Sequence, residues 1–121
     1  SILWLKWENS LASMQKSINN YTPPINYALA FSRIENHYFY NKGFLGSDNY
    51  ILNNAKKIDQ IPGIIIQGRY DMVCPPNSAN KLKNVWPKSE LKIIDFSGHA
   101  MSEPEISREL IKATEKFKNY S

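Results

Sequence analysis

Residues 63–67 read Gly-Ile-Ile-Ile-Gln, and this unbroken β-branched run constrains the fold more than any other feature of the chain. An apolar run without polar alternation is the pattern of a strand covered on both faces, as in a parallel sheet flanked by helices. A second strand is expected over residues 90–96, where Leu91, Ile93, Ile94 and Phe96 cluster. Between the two, residues 77–86 have helical spacing, with Ala79, Leu82 and Val85 expected to face inward. Pro104 suits the first turn of a closing helix that carries Ile106, Leu110, Ala113 and Phe117 on one face. Strand, helix, strand and helix make a βαβα unit whose crossover is long enough for parallel pairing. The expected class is α/β.

Residues 1–60 have a different character and read as entirely helical. Trp4, Trp7, Leu11, Met14 and Ile18 form one apolar stripe, and Tyr21-Thr22-Pro23-Pro24 ends that helix. Pro24 then suits the first turn of a helix with Ile25, Ala28, Leu29, Ile34 and Tyr38 that ends near Gly43. A third, short helix is expected from Tyr50 to Ile58. A boundary near residues 58–62 therefore divides a helical part, 1–60, from an α/β part, 61–121. Two strands do not make a stable doubly wound sheet by themselves. The strand at 64–67 is expected to lack a neighbour on one side unless another segment supplies it. A start at Ser1 rather than Met also fits a fragment or a processed chain.

Composition narrows the function classes. The net charge is +4, but the lysines are scattered and form no basic block, so no nucleic-acid partner is expected. No apolar run approaches the ~20 residues of a membrane span, and no signal-peptide pattern opens the chain. Cys74 is the single cysteine, which excludes an internal disulfide and suits a reducing compartment, with the cytoplasm the expected location. His37 and His99 are too isolated for a metal site, and no cofactor is expected.

The chemistry concentrates in two loops. Gly68-Arg69-Tyr70-Asp71 follows the first strand, and Ser97-Gly98-His99 follows the second. Alone, Asp71 reads as a turn residue and Gly98 as a turn glycine. Together, an acid and a histidine at the carboxyl ends of consecutive parallel strands are the last two members of a Ser…Asp…His triad of an α/β-hydrolase. In such a triad the histidine moves the nucleophile's proton, while the carboxylate fixes the ring tautomer and stabilises the imidazolium. A nucleophile elbow needs Gly-x-Ser-x-Gly, and none of Gly43, Gly46, Gly63, Gly68 or Gly98 fits that frame. Ser97 and Ser102 lie near His99 but not on a strand-to-helix elbow, and Ser102 is expected to cap the last helix.

Six stretches sharpen this to a family. Trp4-Leu5-Lys6-Trp7-Glu8, Arg33-Ile34-Glu35-Asn36-His37-Tyr38-Phe39, Gln67-Gly68-Arg69-Tyr70-Asp71, Cys74-Pro75, Trp86-Pro87, and Gly98-His99 with Glu103-Pro104 run in order through nearly the whole chain. In these the chain resembles the C-terminal part of the proline iminopeptidases, serine exopeptidases that release N-terminal proline. The resemblance implies that residues 1–60 end a helical cap domain and residues 61–121 end the hydrolase core. It implies Asp71 and His99 as catalytic residues, Glu8 and Glu35 as the pair that holds the substrate's free amino group, and a serine and oxyanion hole outside this chain. The implied partners are a peptide with a free N-terminal proline and the missing N-terminal part of the same protein. Cys74 is either beside the proline ring, as in the family, or a small buried apolar residue, and His37 is expected to be a structural cap residue. Beside Glu35, Arg33 offers the plainer alternative of an ion pair. After Gly98-His99 the chain has Ala100 where the family commonly has serine, which removes no triad group.

The amine role has a physical rationale. A chain terminus differs from any internal residue by its positive charge, and a unit charge pair at ~4 Å gains about 4 kcal/mol at an effective dielectric near 20, before desolvation. Carboxylates buried without a cation are costly, so the same pair rejects substrates that lack it. Two alternatives stand beside this reading. One is a non-catalytic interaction module, which gives no reason for Asp71, His99, Glu8 and Glu35 to occur together. The other is a capped ester or epoxide hydrolase, against which the two glutamates argue.

Overall fold

The computed structural model describes residues 1–14 and 22–119. Helices α1 (Ile2–Ala12), α2 (Ile25–Tyr40) and α3 (Tyr50–Asn54) come first. Then follow β1 (Gly63–Gly68), α4 (Pro76–Val85), β2 (Ser89–Ile94) and α5 (Pro104–Phe117). The two strands pair in parallel, with Gly63 opposite Ser89 and Gly68 opposite Ile94. The result is the expected mixture of helices with a small parallel sheet, and among the described residues the sheet has two strands.

The register assigns the sheet faces. Ile64 and Ile66 share a face with Glu90 and Lys92, while Ile65 lies with Leu91 on the other. Helix α5 covers the first face, where Lys92 meets Glu109 at 3.2 Å and Lys116 meets Glu90 at 2.9 Å. Exposed pairs of this kind are screened by water, so they orient the helix more than they hold it. Helix α4 lies over the second face, its Asn77 and Asn80 bordering a hollow with Leu91 and Ile93. Trp86, at the end of α4, donates from Nε1 to the Ile61 carbonyl at 2.8 Å and ties the crossover to the entry of β1.

Several expectations need correction. The isoleucines of β1 are half-buried rather than covered on both faces, because β1 has one strand neighbour among the described residues. Strand β2 ends at Ile94, two residues early, since Phe96 turns the chain with φ +56°. Helix α1 stops at Ala12, where Ser13 is extended, so Met14 lies beyond it; Ile18 and Tyr21 fall outside the described residues. Its buried residue is Leu5, whereas the expected stripe is half open, Trp4 at 42% and Trp7 at 55% exposure.

On α2 only Ala28 is buried, and Ile25, Leu29, Ile34 and Tyr38 are exposed. Helices α1 and α2 pack together, and their buried residues are Leu5 and Ala28. Pro24 precedes α2 as its N-cap rather than entering the first turn, and α2 ends at Tyr40, ahead of a tight turn over Lys42–Phe44. The expected third helix is α-helical only to Asn54 and tightens into a 3-10 turn over Ala55–Ile58. Val85 and Leu110 are exposed, leaving Ala79 on α4, and Ile106 with Ala113 on α5, as the fully buried residues of those helices. Ser102 does not cap α5; Glu103 occupies that position.

Candidate active site

The two rim loops meet because Gly68 has no side chain. A Cβ there would lie 2.0 Å from the Gly98 carbonyl oxygen and 2.6 Å from that of Ser97, an approach no other residue permits. Across this contact the Tyr70 N–H donates to the Ser97 carbonyl at 2.9 Å, and the Arg69 N–H to the Ile94 carbonyl at 3.0 Å. The loops are thereby locked side by side, and the side chains that follow them converge.

Asp71 is 6% exposed. Its Oδ1 accepts the Val73 N–H at 3.0 Å and the Cys74 N–H at 2.7 Å. Its Oδ2 accepts Gln67 Nε2 at 3.0 Å and faces His99 Nδ1 at 3.0 Å. Burial acts to raise the Asp71 pKa, but the Cys74 N–H, His99 and Gln67 outweigh it and hold the carboxyl below its ordinary value. Asp71 is therefore an anion at neutral pH and places the proton of a neutral imidazole on Nδ1. His99 Nε2 then carries the free lone pair of a general base. Both residues follow their strands, and the structure brings them into direct contact.

Glu8 lies across a cleft of about 650 Å³ lined by Leu5, Glu8, Ala12, Tyr27, Phe31 and His99 among others. Its Oε2 is buried without a hydrogen-bond partner among the described residues. Burial, then a hydrogen bond shared with Glu35 and the charge of Glu35, raise the Glu8 pKa to about 7, against a smaller lowering by His99. Buried beside a second carboxyl, Glu8 gives up its proton less readily than a glutamate in water. Glu35 also accepts a hydrogen bond from Trp4 Nε1 and borders an adjoining hollow with Trp4, Arg33 and Phe39, so it meets Glu8 from the side. Among the described residues Arg33 makes no ion pair with Glu35.

Three other expectations are resolved. Cys74 is exposed, not a small buried residue, and it serves Asp71 through its backbone. His37 sits in the last turn of α2, where its backbone carbonyl accepts the Asn41 N–H at 3.2 Å and Asn41 Nδ2 at 2.8 Å. Ser97 is fully buried and points at the Asp95 carbonyl at 3.5 Å, and no serine bonds the imidazole among the described residues. No group of three or more metal-ligating side chains occurs among the described residues, and none of their helices is long and apolar enough to cross a membrane.

Sequence reasoning missed Glu103, which is 5% exposed and bonds groups on both sides of the cleft. Its place just before Pro104 marked it as a helix-start acid. Nothing local announced its partners, Ser13 and Met14, about ninety positions away in the chain. Gln67 was also missed; it presents its amide to Asp71 from the end of β1.

No protein-family model matches the chain. Against curated proteins it is 48% identical over 117 residues to a proline iminopeptidase of Arabidopsis thaliana, covering 95% of this chain and 31% of the relative. A proline iminopeptidase of Xylella fastidiosa is 44% identical over 117 residues, covering 94% and 37%. That of Neisseria gonorrhoeae is 38% identical over 112 residues, covering 93% and 35%. The chain thus spans about a third of the length of the curated relatives it matches, and corresponds to their C-terminal part.

Proposed function

We propose that this chain is the C-terminal portion of an α/β-hydrolase of the serine aminopeptidase type, acting on peptides with a free N-terminal proline. The observation that carries the reading is the joint placement of an Asp71–His99 pair and an unsatisfied Glu8 on one cleft, in a chain similar to proline iminopeptidases. In this reading residues 1–60 end a cap domain and residues 61–121 end the hydrolase core. The nucleophilic serine and the oxyanion donors come from the part of the relatives' length that this chain does not span. The protein works in the cytoplasm, in keeping with its single unpaired thiol.

The Asp71–His99 contact supports a division of labour among these residues. His99 Nε2 takes the proton of the serine hydroxyl as it attacks the prolyl carbonyl, and returns it to the leaving amine. Asp71, already saturated with donors, balances the imidazolium without itself taking a proton. A water then attacks the acyl-enzyme, with His99 again as the base. Glu8 and Glu35 receive the proline's secondary ammonium, which supplies the cation their contact lacks. No metal or organic cofactor enters any step.

The test uses the whole protein and three arylamides. Prolyl-arylamide is expected to turn over, alanyl-arylamide more slowly, and acetyl-prolyl-arylamide hardly at all, since acetylation removes the cation. Strong turnover of the acetylated substrate sinks the amine role of the glutamates. Glu35→Gln is expected to raise KM roughly 30-fold or more with a smaller change in kcat, because breaking a desolvated charge pair costs about 2–5 kcal/mol. An unchanged KM makes Glu35 structural. No turnover of any of the three substrates favours the interaction-module alternative.

A further inference from the structure

Among the described residues, Glu103 is the one buried carboxylate that the proposed chemistry leaves without a task. It lies behind the cleft and is not among the residues that line it. Its Oε1 accepts the Ser13 hydroxyl at 2.7 Å and the Met14 N–H at 2.6 Å, both just past the end of α1. Its Oε2 accepts the Gly98 N–H at 2.8 Å, one residue before the imidazole. Two backbone bonds reinforce the junction, since the Ala12 carbonyl accepts the His99 N–H at 2.8 Å and the Ala100 N–H at 2.7 Å. The approach is close enough that a Cβ on Gly98 would stand 3.0 Å from the Ala12 oxygen.

We infer that Glu103 is a positioning residue that clasps the end of α1 to the His99 loop and so sets the distance between the Glu8/Glu35 pair and the imidazole. Glu8 lies one helical turn before Ala12, about 6 Å along the axis, so the clasp sits one turn from the acid and one residue from the base. The inference rests on the aminopeptidase reading for its consequence, though the clasp itself does not. An enzyme that removes a single terminal residue must hold the ammonium at a fixed separation from the scissile carbonyl. Anchoring both ends of that separation to one carboxylate makes it rigid. Burial would raise the Glu103 pKa, but Ser13, Gly98 and Met14, with Ser97 adding to them, hold it below the ordinary value and keep it anionic at neutral pH.

The test compares prolyl-arylamide with β-homoprolyl-arylamide, whose ammonium stands one methylene farther from the carbonyl. Glu103→Gln in the whole protein is expected to lower the ratio of their kcat/KM values at least tenfold, mainly through KM for the prolyl substrate. A role in stability alone reduces both substrates equally, and a ratio within twofold of the wild type overturns the inference. A second readout does not need activity. In the wild type, the His99 ring resonances in an NMR pH titration should show a second inflection near the Glu8 midpoint, and Glu103→Gln should weaken it. An undiminished inflection overturns the inference even where the wild type turns over neither substrate, a result that separately defeats the aminopeptidase reading. Where Glu103→Gln does not fold, Ser13→Ala removes one bond of the clasp and is expected to lower the same ratio about threefold; no change there has the same force.

Discussion

Two carboxyl sites lie near His99 and have opposite characters. At the sheet rim, Asp71 is nearly inaccessible yet meets donors at both oxygens, and its pKa falls below the ordinary value. On the helical side, Glu8 carries a buried oxygen without a partner beside a second carboxyl, and its pKa climbs to about 7. Desolvation acts in the same direction on both, so the number of donors decides the sign. The lesson is one of division. A carboxylate supplied with donors by its own chain is a permanent anion that orients an imidazole. One deprived of them is poised for a cation from outside.

The sharpest way to break this comparison is at Asp71. Asp71→Asn in the whole protein keeps the shape but favours the wrong imidazole tautomer, and turnover of prolyl-arylamide is expected to fall about 10⁴-fold, as in serine proteases. A loss below tenfold in steady-state kinetics would mean that Asp71 is merely a turn residue. A smaller effect is expected at the contact beneath it. Gly68→Ala drives a methyl against the Gly98 carbonyl and should cost roughly 1–3 kcal/mol in denaturant unfolding, with the Asp71–His99 pair disturbed as the loops part. Full stability would show that the rim tolerates separation.

The mildest test compares the two acids directly through pH. On the proposed reading Glu8 must ionise to hold an ammonium, so KM for prolyl-arylamide should rise as pH falls below about 7, by up to tenfold per unit, and Glu8→Gln should flatten that limb. For stability the sign runs the other way. The folded state binds this proton more tightly than the unfolded chain, so Glu8 should cost stability progressively as pH rises from the ordinary glutamate value of 4.5 to about 7. Asp71 and Glu103 have lowered pKa values, so their contribution is present above the unfolded range and is lost on acidification through their folded values. A stability profile flat between pH 4.5 and 7 in wild type and Glu8→Gln alike would remove the contrast on which the comparison rests.

The α/β part was the more legible of the two. The isoleucine run, the helical spacing after it and Pro104 at the start of α5 fixed two strands and two helices to within a few residues. Short loops after those strands left Asp71 and His99 few places to go, which is why their contact could be anticipated. The helical part was legible only as helices. Its apolar residues outnumber the positions it buries, so periodicity overcounted the inner face: of the expected residues Ala28 is inside, Trp4, Trp7 and Ile34 are not, and Leu5, off the expected stripe, is. Helix α1 ends at Ala12 because Ser13 and Met14 turn to bond a carboxylate far away in the chain, a cause that no local pattern records.

By itself, then, the sequence determined the elements, their parallel pairing and the acid and histidine that follow the strands, because strand and helix periods and loop lengths are properties of neighbouring residues. Only the tertiary structure decided that Glu8 and Glu35 meet, that the Glu8 oxygen is left without a donor, and that Glu103 joins α1 to the imidazole loop. Those outcomes depend on which surfaces of distant segments exclude water from one another. Burial and the neighbouring groups, which together set the charge of Glu8, Asp71 and Glu103, take effect only once the chain has closed on itself.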